Sequence, residues 1–336
     1  MLINQITKRK INAIKRNKLA VVSFVALIVF TCATFIAPIL ANSRPLVMKY
    51  NGKIYFPVLI DYSISEFGIS DGTLKVDYRK LNFSDKNWSL WPPIQWDPYE
   101  SNTAVANYPS SPTKYNFFGT DDRGRDILTR LLYGFKYSIL YAMSVWGIST
   151  IIGIIVGAIT GYYGGAIDFL GQRFVEVLST IPQFFIILIL ISVFTPSLTL
   201  LVVISSIFSW IGISYYIRGE FLKNRNIEFV EGAKAIGLNN FEIIYKHILP
   251  NSLTPLITLS PFIISANIVG LASLDFLGFG LEIPTPSWGE LLSQAQKNYT
   301  TAWWLAFFPS LSLFSILIIF NLIGDALRDA FDPRSI

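Results

Sequence analysis

Residues 137–161 read YSILYAMSVWGISTIIGIIVGAITG, a run without Lys, Arg, Asp or Glu. A bilayer's hydrocarbon core of about 30 Å needs roughly 20 apolar residues in helical form. Inside lipid every backbone polar group must be satisfied, and a helix does this within one segment. Five more uncharged runs follow the same rule: Leu19 to Ala41, Ser179 to Thr195, Ser197 to Ile217, Ser252 to Leu274 and Leu305 to Gly324. The run at Ser179 is short, and its start extends back towards Phe174. Six such runs exceed what soluble helical cores produce. The expected fold class is an all-α membrane protein with six transmembrane helices.

Composition agrees. Of 336 residues, 52% are hydrophobic and 15% charged, against about 25% charged in soluble domains. The mean hydropathy is +0.48. A disordered chain needs the opposite balance. The net charge of +5 suits nucleic acid or an anionic membrane surface. The apolar runs decide for the lipid bilayer and against nucleic acid. A single cysteine, Cys32, excludes an internal disulfide and a Cys-based zinc cluster. Inside the first run it reads as a small buried apolar residue. A single histidine, His247, excludes a multi-His metal site, so no metal is expected. Beside a membrane-face loop it reads as a structural or interface residue. No phosphate-cradling loop, zincin helix or nucleophile elbow occurs. No catalytic residue is therefore expected. The polar residues in the spans (Ser149, Thr150, Gln183, Ser192, Ser205, Ser206, Ser265, Asn267) include no acid or base. Proton- and ion-coupled pathways usually need them.

Basic residues in short loops set orientation. Lys8, Arg9, Lys10, Lys15, Arg16 and Lys18 precede the first span, and Arg173 follows the second. Arg218, Lys223, Arg225, Lys234 and Lys246 follow the fourth, and Arg328 and Arg334 the sixth. Between spans five and six stands only Lys297. Both termini are expected to be cytoplasmic. The first run, though preceded by a basic stretch as in a signal peptide, is long for one and is expected to be a retained helix. Trp303 and Trp304 at the outer end of span six, and Tyr215 and Tyr216 at the inner end of span four, suit an interfacial belt.

The expected organisation is a first helix with its cytoplasmic lead over 1–41, an extracytoplasmic insertion over 42–136, a five-helix core over 137–325 and a cytoplasmic tail over 326–336. In the insertion, Asn51-Gly52 lies between alternating residues, the strongest short hairpin signal. The aromatic, Pro-rich stretch Trp88 to Pro98 reads as a docking face, part of a peptide vestibule, or a plain cap. At Gly119 to Asp126, Thr120 or Asp121 is expected to cap an amphipathic helix lying at the outer surface before span two. The alternating Asp and Arg there are expected to pair with one another. Gly153, Gly157 and Gly161 recur every fourth residue, a spacing that lets helix backbones approach closely in lipid. Pro182 and Pro261 lie in spans three and five, as bends in a moving pathway or static ones.

The loop 219–251 carries the densest signal. Asn226 is expected to cap a short helix to Ile236, with Glu228 in its first turn and Lys234 in its last. Gly237 supplies the left-handed residue that ends it. Asn239 and Glu242 make a capping-box-like start to a second helix, which Pro250 closes. Gly232, Ala233 and Ala235 leave one side of the first helix nearly bare, a shape that suits insertion into a groove.

Glu231-Gly232-Ala233, Gly237 six residues after the acid, and Leu249-Pro250 resemble the EAA loop of ABC-importer permeases. Two departures are Gly232 where Ala is usual, and His247 where many members have Ile and the peptide branch often has His. The wider resemblance, from Phe118 to the C-terminus, is to the dipeptide/oligopeptide (C-type) permeases. It is carried by Gly119-Thr120-Asp121, Gly124-Arg125-Asp126, Gly161 to Gly165, Ser273 to Gly280 and Asp329 to Arg334. Arg44-Pro45-Leu46, Tyr50 to Pro57 and Trp88 to Pro93 are similar to the YejE-type subunits of microcin C/oligopeptide importers. The resemblance implies an ABC type I importer permease fold. It implies that Glu231, Gly232, Ala233, Gly237, His247, Leu249 and Pro250 form an ATPase-coupling loop. It implies as partners a homologous second permease, a cytoplasmic ABC ATPase that binds ATP and Mg, and an extracytoplasmic peptide-binding protein. No cofactor is expected on this chain itself. The competing readings are a permease for dipeptides or nickel complexes, an energy-independent channel, or an intramembrane enzyme. The channel leaves the coupling loop unexplained, and the enzyme needs a catalytic pair at membrane depth that the sequence lacks.

Overall fold

Apolar residues without a charge or a breaker continue as helix for as long as the run lasts. The computed structural model describes residues 2–67, 76–81, 83 and 87–331, with side chains from Lys8 onward. Asp332 to Arg334 of the C-terminal resemblance lie outside them. The longest helix is α4. In order, the helices are α1 (Leu2–Arg16), α2 (Lys18–Phe35), α3 (Ala37–Leu40), α4 (Ile127–Tyr163), α5 (Gly165–Ser179), α6 (Gln183–Val193), α7 (Leu198–Asn224), α8 (Glu228–Ala235), α9 (Asn240–Glu242), α10 (Leu249–Ser252), α11 (Thr254–Phe276), α12 (Trp288–Lys297) and α13 (Trp303–Phe331). Five of these (α2, α4, α7, α11 and α13) are long and apolar enough to cross a membrane. A sixth span exists if α5 and α6 count as one, bent by 62°.

The third span therefore departs from the straight run at Ser179–Thr195. Ile181 precedes Pro182, and the residue before a proline is pushed out of the α region. The chain breaks there, and Pro182 becomes the N-cap of α6 with φ −68° and ψ 110°. Pro261 acts otherwise: α11 runs through it. The first run also breaks, at Ile36, because Pro38 sits in the first turn of α3. Cys32, expected to be buried, lies on an exposed face of α2.

Span two and the amphipathic helix expected before it are one element. At 37 residues, α4 is about 55 Å long, more than the hydrocarbon core needs. Its cap is Asp126, whose carboxylate accepts from the Thr129 amide at 2.8 Å, and neither Thr120 nor Asp121. Asp121 is engaged elsewhere. Its Oδ1 accepts from the amides of Arg123 and Arg125, both at 2.9 Å.

One compact unit comprises residues 1–28, 138–282 and 313–336; a second comprises 29–137 and 283–312. In the first unit, Tyr141, Val145, Ile187, Leu201, Ile204 and Leu271 form one apolar cluster. In the second, β1 (Val47–Tyr50), β2 (Lys53–Tyr55) and β3 (Trp88–Leu90) form an antiparallel sheet of order β2-β1-β3. Asn51 (φ 48°) and Gly52 (φ 80°) make the hairpin turn, with Met48 opposite Tyr55. Both turn residues need positive φ, which Asn-Gly supplies. Met48, Tyr55, Phe67 and Tyr78 bury the sheet's inner face.

The second unit also holds buried charge. Arg125 Nε donates to Asp121 at 2.7 Å, as the alternating signs predicted. The further acceptor is Glu290 of α12, at 3.0 Å from Arg125 Nη2 and bonded also to Arg130. Arg130 and Asp121 are fully buried. Trp304, expected in the interfacial belt, is buried instead and donates to the Thr120 carbonyl at 3.2 Å. Trp303, Tyr215 and Tyr216 are exposed.

Candidate coupling loop

The first unit's second apolar cluster roots the loop 225–253 in the spans. It contains Ala158 of α4, Ile213, Ile217 and Phe221 of α7, Val230 and Ala233 of α8, Ile243, Ile248, and Leu256 of α11. Val230, Ile248 and Phe221 have no exposed surface. Buried apolar packing is dense and transmits displacement. A shift of α8 is therefore felt by three spans.

Local chemistry shapes α8. Its first turn carries Glu228 and Glu231 and its last Lys234, which complements the helix dipole. Ile227, not Asn226, occupies the N-cap, without a side-chain bond. Gly237, at φ +81°, ends the helix. The Gly237 amide donates to the Lys234 carbonyl at 3.0 Å and the Leu238 amide to Ala233 at 3.2 Å, a Schellman closure. Asn239 then accepts from the Glu242 amide at 2.8 Å, and its Nδ2 donates to the Glu242 carboxylate at 3.0 Å. A 2.8 Å hydrogen bond from Lys246 holds the Glu242 carboxyl below its ordinary value.

The helix from Asn239 continues beyond Pro250. A π-helical turn, Ile243–Ile248, follows α9, and Pro250 stands in the first turn of α10. Inside a continuous helix proline removes one ladder bond, and the wider π turn stands just before it. The wider turn keeps Ile243 and Ile248 both on the cluster.

The site residues divide by face. Glu231, Gly232, Ala235, Ile236 and Gly237 are exposed, while Ala233 is buried. The trio of small residues is thus split: Ala233 packs inwards, and Gly232 and Ala235 stay bare outside. At 3.6 residues per turn, Gly232 and Ala235, three apart, share a side, and Ala233 is turned about 100° away from Gly232. Leu249 packs on the cluster's edge, and Pro250 is exposed. His247 is half-buried, and its carbonyl accepts from Asn251 at 3.0 Å. Sequence reading missed the exposed apolar rim: Phe229, Ile236 (78% exposed), Phe241 and Tyr245. The rings of Phe241 and Tyr245 stack with an interplanar angle of 5°. Their four-residue spacing was the available signal.

The glycine stripe lies against α7. A Cβ on Gly153 would stand 2.7 Å from Ile213 Cβ, on Gly157 2.6 Å from the Ser214 carbonyl oxygen, and on Gly161 2.6 Å from Phe221 Cβ. Ser149, fully buried, extends the same four-residue spacing by one step. At the stripe's end, Arg225 Nη1 donates to the Gly161 carbonyl at 3.2 Å, and Tyr162 donates to Asn240 at 2.8 Å. Arg218 grips Asp168 of α5 with two bonds, at 2.6 and 2.7 Å. Both halves of the loop are thus hydrogen-bonded to α4, and Arg218 ties α7 to α5.

The profile of a family described as "Binding-protein-dependent transport system inner membrane component" matches residues 153–336. The chain is 41% identical over 300 residues to an inner membrane ABC transporter permease protein YejE of Escherichia coli K12, covering 88% of each chain. It is 36% identical over 362 aligned positions to a peptidoglycan transport system permease protein YejE of Agrobacterium fabrum, covering 98% of this chain and 93% of the relative. It is 40% identical over 220 residues to an oligopeptide transport system permease protein OppC of Haemophilus influenzae, covering 66% and 71%.

Proposed function

The chain belongs to the family of binding-protein-dependent transport system inner membrane components, and from that premise we propose that it imports peptides as one of two permeases around a shared pathway. It is a multi-pass inner membrane transport subunit rather than an enzyme. ATP and Mg bind a separate cytoplasmic ATPase. That partner seats the exposed face of α8 (Glu231, Gly232, Ala235) in a groove, rimmed by Phe229, Ile236, Phe241 and Tyr245. Closure of the ATPase pushes α8, and Val230 and Ala233 pass the displacement to α4, α7 and α11. The spans then tip between outward- and inward-facing arrangements, a two-state element biased by a ligand. An extracytoplasmic binding protein delivers the peptide.

Both chain ends lie on the cytoplasmic side in this reading. Lys10 Nζ stands 3.9 Å over the Phe331 ring, so α1 lies beside the end of α13. The basic residues of the loop 219–251 give that face its sign.

The observation that carries the proposal is the division of α8 into a face packed on three spans and a bare, exposed one. Peptide is the substrate class because the relatives' names include oligopeptide and peptidoglycan transport. A relative that matches almost the whole chain is named for peptidoglycan transport, which supports cell-wall peptide fragments as a second substrate set beside free oligopeptides and microcin C-type peptides. Reconstitution with the second permease, the ATPase and the binding protein tests both points. Labelled oligopeptide or cell-wall peptide should enter liposomes only with ATP, and Glu231→Lys should stop uptake without loss of insertion. Uptake by this chain alone contradicts the proposal.

A further inference from the structure

Lys8, Arg9, Lys10, Lys15, Arg16 and Lys18 cluster before the first span, and no acid stands before Asp61. The first helix, α1, ends in Lys15 and Arg16, with no acid in its first turn. Its apolar Ile11 and Ile14 sit three residues apart and share one side. They form, with Phe24 of α2 and Ile323 and Leu327 of α13, an apolar groove of about 410 Å³ into whose wall Lys15 also enters. Lys10, over the Phe331 ring at 3.9 Å, fastens α1 beside the end of α13.

Depth and charge identify the occupant. Phe24 lies six residues into α2, about 9 Å from Lys18 along the helix. The groove therefore starts at the charged boundary of the bilayer and runs into the depth of acyl chains. Apart from Lys15, which lines it with its aliphatic stem, the residues around it are all apolar. Arg16 and Lys18, both exposed, follow Lys15 within three residues. On α13, Asp325 stands 4.0 Å from Arg328. Basic residues beside a span attract anionic lipid, and an amphipathic helix at the interface adds apolar burial.

We propose that the groove between α1, α2 and α13 is a binding site for one anionic phospholipid, its acyl chain against Ile11, Phe24 and Leu327 and its phosphate held by Lys15, Arg16 and Lys18. The lipid fastens the first helix to the last.

The test uses the assembled importer, purified from membranes and offered phosphatidylglycerol and phosphatidylcholine with identical acyl chains. Native mass spectrometry counts what is retained. The wild type should keep phosphatidylglycerol in preference to phosphatidylcholine. Lys15→Gln should weaken retention about fivefold, the scale of one surface charge, while Lys15→Arg preserves it. This single change leaves Lys8, Arg9, Lys10, Arg16 and Lys18 to hold the orientation. Ile14→Trp should fill the groove and displace either lipid. Equal retention of the two lipids, or retention untouched by both Lys15→Gln and Ile14→Trp, overturns the site. So does cross-linking of Ile14→Cys to a helix of the second permease, which gives the groove to a protein.

Discussion

The Leu238 amide reaches back across Gly237 to the Ala233 carbonyl, at 3.2 Å. That bond fixes where α8 ends and so which residues face outwards. Nothing lies within 4 Å of a Cβ built on Gly237, so the only constraint there is its φ of +81°. An L-residue in that conformation costs about 1–2 kcal/mol. Gly237→Ala should lower peptide-stimulated ATP hydrolysis of the reconstituted importer about tenfold, and Gly237→Pro should abolish it. Both proteins should reach the membrane in wild-type amounts. Full hydrolysis in the proline variant would show that the helix end is irrelevant to coupling.

The glycine stripe makes a prediction about stability. Gly157→Ala drives a methyl to 2.6 Å from the Ser214 carbonyl oxygen, which is backbone and cannot step aside. Overpacking of this kind costs about 1–3 kcal/mol. Gly212 has open space at its Cβ. Thermal melts in detergent should show Gly157→Ala well below wild type, with Gly212→Ala unchanged or slightly higher. Equal melts would remove the close approach of α4 and α7.

Glu290 compensates two buried guanidinium groups, those of Arg125 and Arg130. Removing one partner of a buried charge cluster costs about 3–5 kcal/mol, because the remaining charge stays desolvated. Glu290→Ala should therefore leave little folded protein, seen as protease sensitivity of the second unit. The exposed pair of Arg44 and Asp61 is the control: Asp61→Ala should cost under about 1 kcal/mol. A stable Glu290→Ala protein would mean that the cluster is hydrated.

Asp126 gives a pH dependence. Burial raises its carboxyl above the ordinary value, against bonds from Asn116 and Thr129, each at 2.8 Å. A folded value above the unfolded one favours folding fully below about pH 3.9, and that contribution is lost as pH rises through the folded value. Asp126→Asn keeps an oxygen for the cap and removes the titration. The wild-type melting temperature should therefore fall relative to Asp126→Asn as pH rises from about 4 to the raised value. A difference flat with pH would place the carboxyl at its ordinary value.

What the sequence disclosed followed from local physics. Uncharged runs marked the spans, Asn51-Gly52 the hairpin, and Gly237 with Asn239 the joint between two helices. The break at Pro182 was ambiguous because an apolar run looks the same straight or bent. Glu290 was out of reach because its partners stand 160 and 165 residues away. β3 was hidden in a Pro- and Trp-rich stretch with no alternation of its own. In the loop 225–253 the motif named the residues but not their directions. Ala233 and Gly232 are neighbours in a row of small residues, and only the packing of Val230 and Ala233 decides that one turns inwards.

Cross-linking across the bare face of α8 asks whether the ATPase engages the chain there. In the reconstituted importer, Ala235→Cys should form a disulfide with a cysteine in the groove of the ATPase subunit. Uptake of peptide should stop on oxidation and resume on reduction, while Val230→Cys, buried in the cluster, should form no such bond. Transport that continues in the fully cross-linked assembly, or an Ala235→Cys that never meets the ATPase, contradicts the account.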